Sequence, residues 1–91
     1  MNKVTIIKCN MDEIIKIQKY LFKKGYSWYK NNISVKYFMD KEVIYMFVSE
    51  IYKNITWNET GELNRYSDYD IIVRTTAKNF FRNLKLEKIN E

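Results

Sequence analysis

The sequence predicts an α+β fold: a single antiparallel sheet of four to five strands with two helices packed on one of its faces, in the order β-α-β-β-β-β-α. Three observations predict it. Strand-like runs outnumber helical ones and follow one another directly, which favours antiparallel pairing with the helices segregated to one side. Two other stretches repeat their apolar residues at i, i+3, i+4 and i+7, one face of a helix. The stretch ISVKYFMDKEVIYMFVSE, residues 33–50, reads as two strands joined at Asp40-Lys41-Glu42. Its second run is apolar on both faces, as a strand in the middle of a sheet should be.

Taken in order, residues 3–9 hold the β-branched run VTII between lysines and read as a first strand. Asn10 with Glu13 three residues on is a capping box in its Asn form, and Asp12 and Glu13 sit where the helix dipole favours negative charge. The helix that follows runs to about Lys24. Ile14, Ile17 and Leu21 form its apolar stripe, flanked by Ile15 and Phe22, while Lys16, Lys19 and Lys23 form the opposite face. Gly25 is the natural stop. Residues 26–29 form a short extended segment with Tyr26 and Trp28 on one side, and Asn31-Asn32 is a turn because Asn tolerates positive φ.

The run 33–39 alternates, with Ile33, Val35, Tyr37 and Met39 on one face and Ser34, Lys36 and Phe38 on the other. Residues 43–48 make the second strand of the hairpin, 51–54 a turn, and 55–57 a third antiparallel strand. Residues 58–69 lack periodicity and carry Gly61 among several charges, the pattern of a functional loop or of a segment partly ordered on its own. Residues 70–75 read as a last strand. Thr75 or Thr76 then caps a second helix whose stripe is Ala77, Phe80, Phe81 and Leu84, and the charged tail from Lys85 onward is expected to fray.

A chain of 91 residues, 46% apolar and 16% aromatic, is expected to form one domain spanning 1–91. It contains no apolar run of signal-peptide or membrane-spanning length, and its one cysteine, Cys9, can form no internal disulfide. The expected setting is therefore cytoplasmic, with no membrane partner. The sheet edges are only partly blunted by lysines, so a monomer or a homodimer is expected. The net charge is +5 and unevenly placed: residues 1–41 hold nine lysines against three carboxylates, whereas residues 42–91 are close to neutral. A basic half of this kind attracts an acidic protein face or a phosphate backbone.

No enzymatic set is expected. Histidine is absent, which removes the usual general base and the commonest metal ligand, and a lone cysteine makes no zinc site. Neither glycine belongs to a phosphate-binding loop. Cys9 stands beside a helix N-terminus, a position that can activate a thiol, but a buried small hydrophobe fits it better. Glu59, Glu62, Asp68 and Asp70 cluster around Arg65 and read as a solvated acidic loop rather than a magnesium site. The expectation is accordingly no catalytic residue, no metal and no cofactor.

Rings and lysines carry the binding signal. Trp28, Tyr29, Lys30, Lys36, Tyr37 and Tyr52 are the candidate contact residues, with tyrosine and tryptophan as anchors and lysine for steering. The expected docking surface is the sheet face left open by the helices. The same interleaving suits a stacking platform for single-stranded nucleic acid, which is the alternative function. The stretch IYMFV is similar to the central strand of an RNA-recognition motif, without that motif's basic-Gly-aromatic opening.

The layout as a whole resembles small phage-encoded accessory proteins. A strand, a helix containing IQKYLFKKGY, a Trp two residues later, YFMDKEVIYMFV and an ITW strand carry the likeness, which covers residues 4–57. The resemblance implies a non-catalytic inhibitor that occludes a surface of a host or defence-system protein, such as a CRISPR effector or another ribonucleoprotein, in the cytoplasm of the host cell. It transfers no site residue. Inhibitors that mimic DNA present an acidic surface, and a charge of +5 argues against that mode.

Overall fold

The computed structural model describes residues 2–63 and 69–90. Among them, β1 (Lys3–Cys9), β2 (Ile44–Ser49), β3 (Asn54–Asn58) and β4 (Ile71–Thr76) form one sheet in the spatial order β3-β2-β1-β4. Helix α1 (Met11–Lys23) follows β1, and α2 (Ala77–Asn90) follows β4. The fold is α+β, as the sequence predicts. Two details differ. The sheet is mixed, because β4 runs parallel to β1 while β1–β2 and β2–β3 are antiparallel. The element order is β-α-β-β-β-α, because the predicted strand at 33–39 does not form.

The ends of α1 are set by its sequence. The Asn10 side chain accepts the Glu13 backbone N–H at 2.9 Å, and Glu13 Oε1 accepts the Asn10 N–H at 2.9 Å. At the other end the Tyr26 N–H reaches the Leu21 carbonyl and the Gly25 N–H reaches the Phe22 carbonyl, a Schellman stop with Gly25 at φ 92°. Removing the cap by Asn10→Ala is expected to lower stability by about 1 kcal/mol, read as a shift of the urea midpoint with unchanged slope.

Both helices lie over one face. The register places Ile7 and Cys9 of β1 beside Met46 and Ile44 of β2, and Ile55 of β3 beside Val48; these side chains meet Ile14, Ile17 and Leu21 of α1 and Ala77 of α2 in the main core. Tyr20 of α1 meets Phe80 of α2 edge-on at 5.9 Å between ring centres. Thr76 Oγ1 accepts the Asn79 N–H and caps α2, which continues through the tail expected to fray.

The run 33–39 is an extended but unpaired segment laid over the helix-bearing face on the β3 side. Its parity is the reverse of the one the alternation suggests. Phe38 is buried, packed edge-on against Trp57 at 4.6 Å, whereas Ile33, Tyr37 and Met39 are exposed. The reason is that the face next to β3 has no helix to cover it: α1 and α2 pack over the other strands. A chain segment with one large ring pointing inward fills that gap. The Lys36 backbone bonds Gln18, the Ser34 N–H bonds Asn32 Oδ1 and the Phe38 carbonyl accepts the Lys41 N–H, so these groups pair with no strand.

The reverse face is only in part the open platform expected from sequence: its centre is covered, while Lys8, Thr56, Ile72 and Arg74 stay exposed. It carries Val4, Ile6 and Lys8 of β1, Tyr45 and Phe47 of β2, and Ile72, Arg74 and Thr76 of β4. Val4 and Ile6 are fully buried and both rings are half-buried. The cause is topological. β3 and β4 occupy opposite edges of the sheet, and the residues that leave β3 turn onto this face. Gly61 lies against the Tyr45 ring, and its carbonyl accepts Arg74 Nη1 at 2.8 Å. Asn58 organises the start of this connection, its side chain accepting from Thr60 and Gly61 and donating to the Glu62 carbonyl. Residues 64–68, part of the stretch read as a functional or self-ordered loop, lie outside the described residues.

Candidate functional site

A buried glutamine builds the site. Gln18 lies on the inner face of α1, fully buried, one residue beyond Ile17. Its Oε1 accepts the Trp28 indole N–H at 3.2 Å and the Lys36 backbone N–H at 2.7 Å; its Nε2 donates to the Lys36 carbonyl at 2.8 Å. One side chain thus ties α1 to two separate points of the segment 28–39. Buried polar groups are costly unless paired, and these are paired with one another.

Between those points the chain makes a narrow loop. The Trp28 N–H donates to the Asn32 carbonyl at 2.8 Å and the Asn32 N–H returns to the Trp28 carbonyl at 3.3 Å. Lys30 (φ 59°) and Asn31 (φ 60°) are both left-handed, so the turn comes one residue earlier than Asn31-Asn32. A left-handed lysine costs about 1–2 kcal/mol, and such strain persists only where surrounding contacts fix it. Next to the loop, the Ser27 N–H donates to the Lys53 carbonyl and the Ile55 N–H to the Ser27 carbonyl, which joins the segment to the outer edge of β3 and to the turn bearing Tyr52.

The structure therefore gathers the candidate residues along the β3 edge, not on the reverse face of the sheet. Tyr29 is 81% exposed, Tyr52 69% and Tyr37 64%, with Lys30 and Lys36 exposed among them. Trp28 does not join them as a contact residue. It is buried beneath the segment, its indole N–H committed to Gln18 and its ring under Lys36 Nζ at 5.2 Å. Sequence alternation assigned Tyr26 and Trp28 to one side but not that this side faces inward. Three residues escaped the sequence reading: Ile33 and Met39, exposed near Tyr37 in the chain, and Gln18, hidden on an otherwise apolar stripe; Lys53, one of the lysines interleaved with the rings in sequence, has its ammonium 4.7 Å from the Tyr26 ring centre. The signal for Gln18 was present as a lone polar residue at the core-facing position between Ile14, Ile17 and Leu21.

Lysines dominate the segment that carries Tyr29 and Tyr37, while Glu50 shares a surface groove with Tyr26 and Lys53. No carboxylate occurs between Glu13 and Asp40, a stretch with six lysines. Beyond it, Lys41 bonds Glu59 at 2.7 Å and lies 3.5 Å from Asp40; the bond to Glu59 and then the charge of Asp40 raise its pKa. Of the acidic cluster read from sequence, Glu59 is thus engaged by Lys41, Asp70 accepts the Asn2 N–H, and Asp68 lies outside the described residues.

Cys9 is buried, its thiol donating to the Ile44 carbonyl at 3.3 Å. Burial, with a smaller contribution from Glu13, pushes its pKa from 9.0 up to about 12. The folded thiol stays protonated while the unfolded one ionises, so this residue's contribution to stability is constant at neutral pH and falls as pH rises above 9. The native protein is expected to resist thiol reagents at pH 7.5 and to react only after denaturant is added; rapid labelling of the folded chain would show an open, activated thiol instead.

Comparison with protein-family models, with curated proteins and with solved structures finds no match. Among the described residues no helix is long and apolar enough to cross a membrane. The chemistry that the gathered groups supply is contact: large rings, short apolar side chains and ammonium groups on a fixed support.

Proposed function

We propose that this protein is a non-catalytic binding module that docks an acidic face of a host or defence-system protein and occludes it, in keeping with the phage-type layout of residues 4–57. The observation that carries this reading is the β3 edge: Tyr29, Tyr37 and Tyr52 stand exposed with Lys30, Lys36 and Lys53, and the stretch that supplies Tyr29 to Tyr37 has no carboxylate between residues 13 and 40. Tyrosine supplies contact area at low entropic cost, and the support beneath it is bonded in place before a partner arrives. Lysines steer an acidic partner and make the encounter salt-dependent.

The experiment is affinity isolation from the natural host, followed by titration of the recovered protein with variants. Tyr29→Ala, Tyr37→Ala and Tyr52→Ala are each expected to weaken binding roughly tenfold while leaving the melting temperature within a few degrees of wild type. Isolation that recovers nothing above background, or a recovered protein bound equally by all three variants, counts against the docking surface.

A second reading, single-stranded nucleic-acid binding, uses the same interleaving of rings and lysines. Titration with mixed oligonucleotides across salt separates the two: affinity that falls steeply with salt supports phosphate contacts, and no binding at low salt removes this reading.

A further inference from the structure

Away from the β3 edge, the reverse face of the sheet holds a second concentration of positive charge. The register sets Ile6 opposite Arg74 and Lys8 opposite Thr76, so Lys8 and Arg74 are diagonal neighbours on adjacent strands with their side chains on the same face. Tyr45 of β2 lies opposite Lys8 on its other side. These residues, with Thr75, Thr76 and Asn79 where β4 passes into α2, line a cavity of about 310 Å³ floored by Ile6. That volume is at the lower end of the range of small-molecule sites, roughly 300–1,000 Å³.

Among the described residues the lining contains two cations, three hydroxyls (Tyr45, Thr75 and Thr76) and an amide, and no carboxylate. Like charges side by side on a sheet repel one another. Here they are diagonal neighbours on adjacent strands, and one is tethered at one nitrogen: Arg74 Nη1 donates to the Gly61 carbonyl at 2.8 Å. An arginine fork beside an ammonium group is the donor set that tetrahedral oxyanions match best, with arginine giving directional bonds and lysine a point charge.

We propose that this cavity binds a phosphate group, carried either by a nucleotide or by a nucleic-acid strand, with Arg74 and Lys8 as its charged ligands. The site is separate from the β3 edge, and its occupancy requires no protein partner.

The test is an amide-resolved NMR titration of the full chain with inorganic phosphate, with adenosine monophosphate and with a short single-stranded oligonucleotide. Saturable shifts at Lys8, Thr75, Thr76 and Asn79 are expected. A response of equal strength to phosphate and to the mononucleotide marks a site for free phosphate compounds; a markedly tighter, salt-sensitive response to the oligonucleotide marks a backbone site. Lys8→Gln, on an exposed side chain, is expected to weaken the response roughly tenfold, whereas Lys16→Gln on the outer face of α1 leaves it unchanged. Arg74→Gln is expected to abolish it, and Lys8→Gln keeps the test decisive if loss of the Gly61 contact unfolds that variant. Absence of saturable shifts with all three probes, or equal effects of Lys8→Gln and Lys16→Gln, overturns the proposal.

Discussion

Gln18→Ala is expected to destabilise the protein by about 3 kcal/mol. The substitution removes three hydrogen bonds at once and leaves the Trp28 indole N–H and the Lys36 N–H and carbonyl without their partner. A buried polar group that loses its partner costs about 1–3 kcal/mol, and the three losses overlap because the freed segment partly recovers water. A cavity under a fully buried position adds to the cost. Gln18→Met separates the two contributions, since it keeps the volume and removes the polar atoms; about 2 kcal/mol of loss is expected to remain. Urea unfolding followed by tryptophan fluorescence measures both, because Trp28 reports directly on the anchored segment. A loss below about 1 kcal/mol for Gln18→Ala would mean that the segment 28–39 is not held by this side chain.

Gly61→Ala is expected to cost a further comparable amount, about 3 kcal/mol, for unrelated reasons. Gly61 has φ 74°, a conformation that costs an alanine about 1–2 kcal/mol. A β-carbon there would also lie 2.7 Å from Cδ1 and 2.9 Å from Cε1 of Tyr45. Those atoms belong to the body of a ring rooted in a central strand, not to the free end of a flexible chain, so relief requires the ring or the segment after β3 to shift, at about 1–3 kcal/mol. The two costs separate in a double-mutant cycle with Tyr45→Ala: removing the ring is expected to recover the steric part and leave the backbone part. If Gly61→Ala is neutral, the segment after β3 does not turn onto the reverse face in contact with Tyr45.

The legible part of the fold was the part governed by local rules. Asn10 and Glu13 announced the start of α1, Gly25 its end, and the β-branched run at 3–9 the first strand, because caps and propensities act within a few residues. What misled was 33–39. Its alternation has a strand's period, yet period alone does not say whether a neighbouring strand is available, and here the chain is recruited to cover a gap beside α1 through Phe38 and the Lys36 backbone. The parallel pairing of β4 with β1 and the contact of Gly61 with the reverse face are likewise long-range features, which no local pattern encodes.

The candidate site was legible in composition and not in position. Tyr29, Lys30, Lys36, Tyr37 and Tyr52 stand together along one edge because Ser27 pairs with β3 and Gln18 holds Lys36, two long-range contacts invisible to spacing. Trp28 was misplaced because an aromatic between polar neighbours looks the same in sequence whether it anchors a loop from beneath or projects from its surface. Its burial strengthens the docking reading by a different route: it stiffens the support for its neighbour Tyr29.

Amide hydrogen exchange at Lys36 tests most directly whether that support is fixed. This amide, bonded to Gln18 Oε1 at 2.7 Å, is expected to exchange as slowly as the interior of α1, while the flanking Val35 and Tyr37 amides, which have no acceptor among the described residues, exchange quickly. Exchange at Lys36 as fast as at Val35 and Tyr37 would contradict a fixed support, leaving the exposed tyrosines on a loose chain rather than a prepared surface.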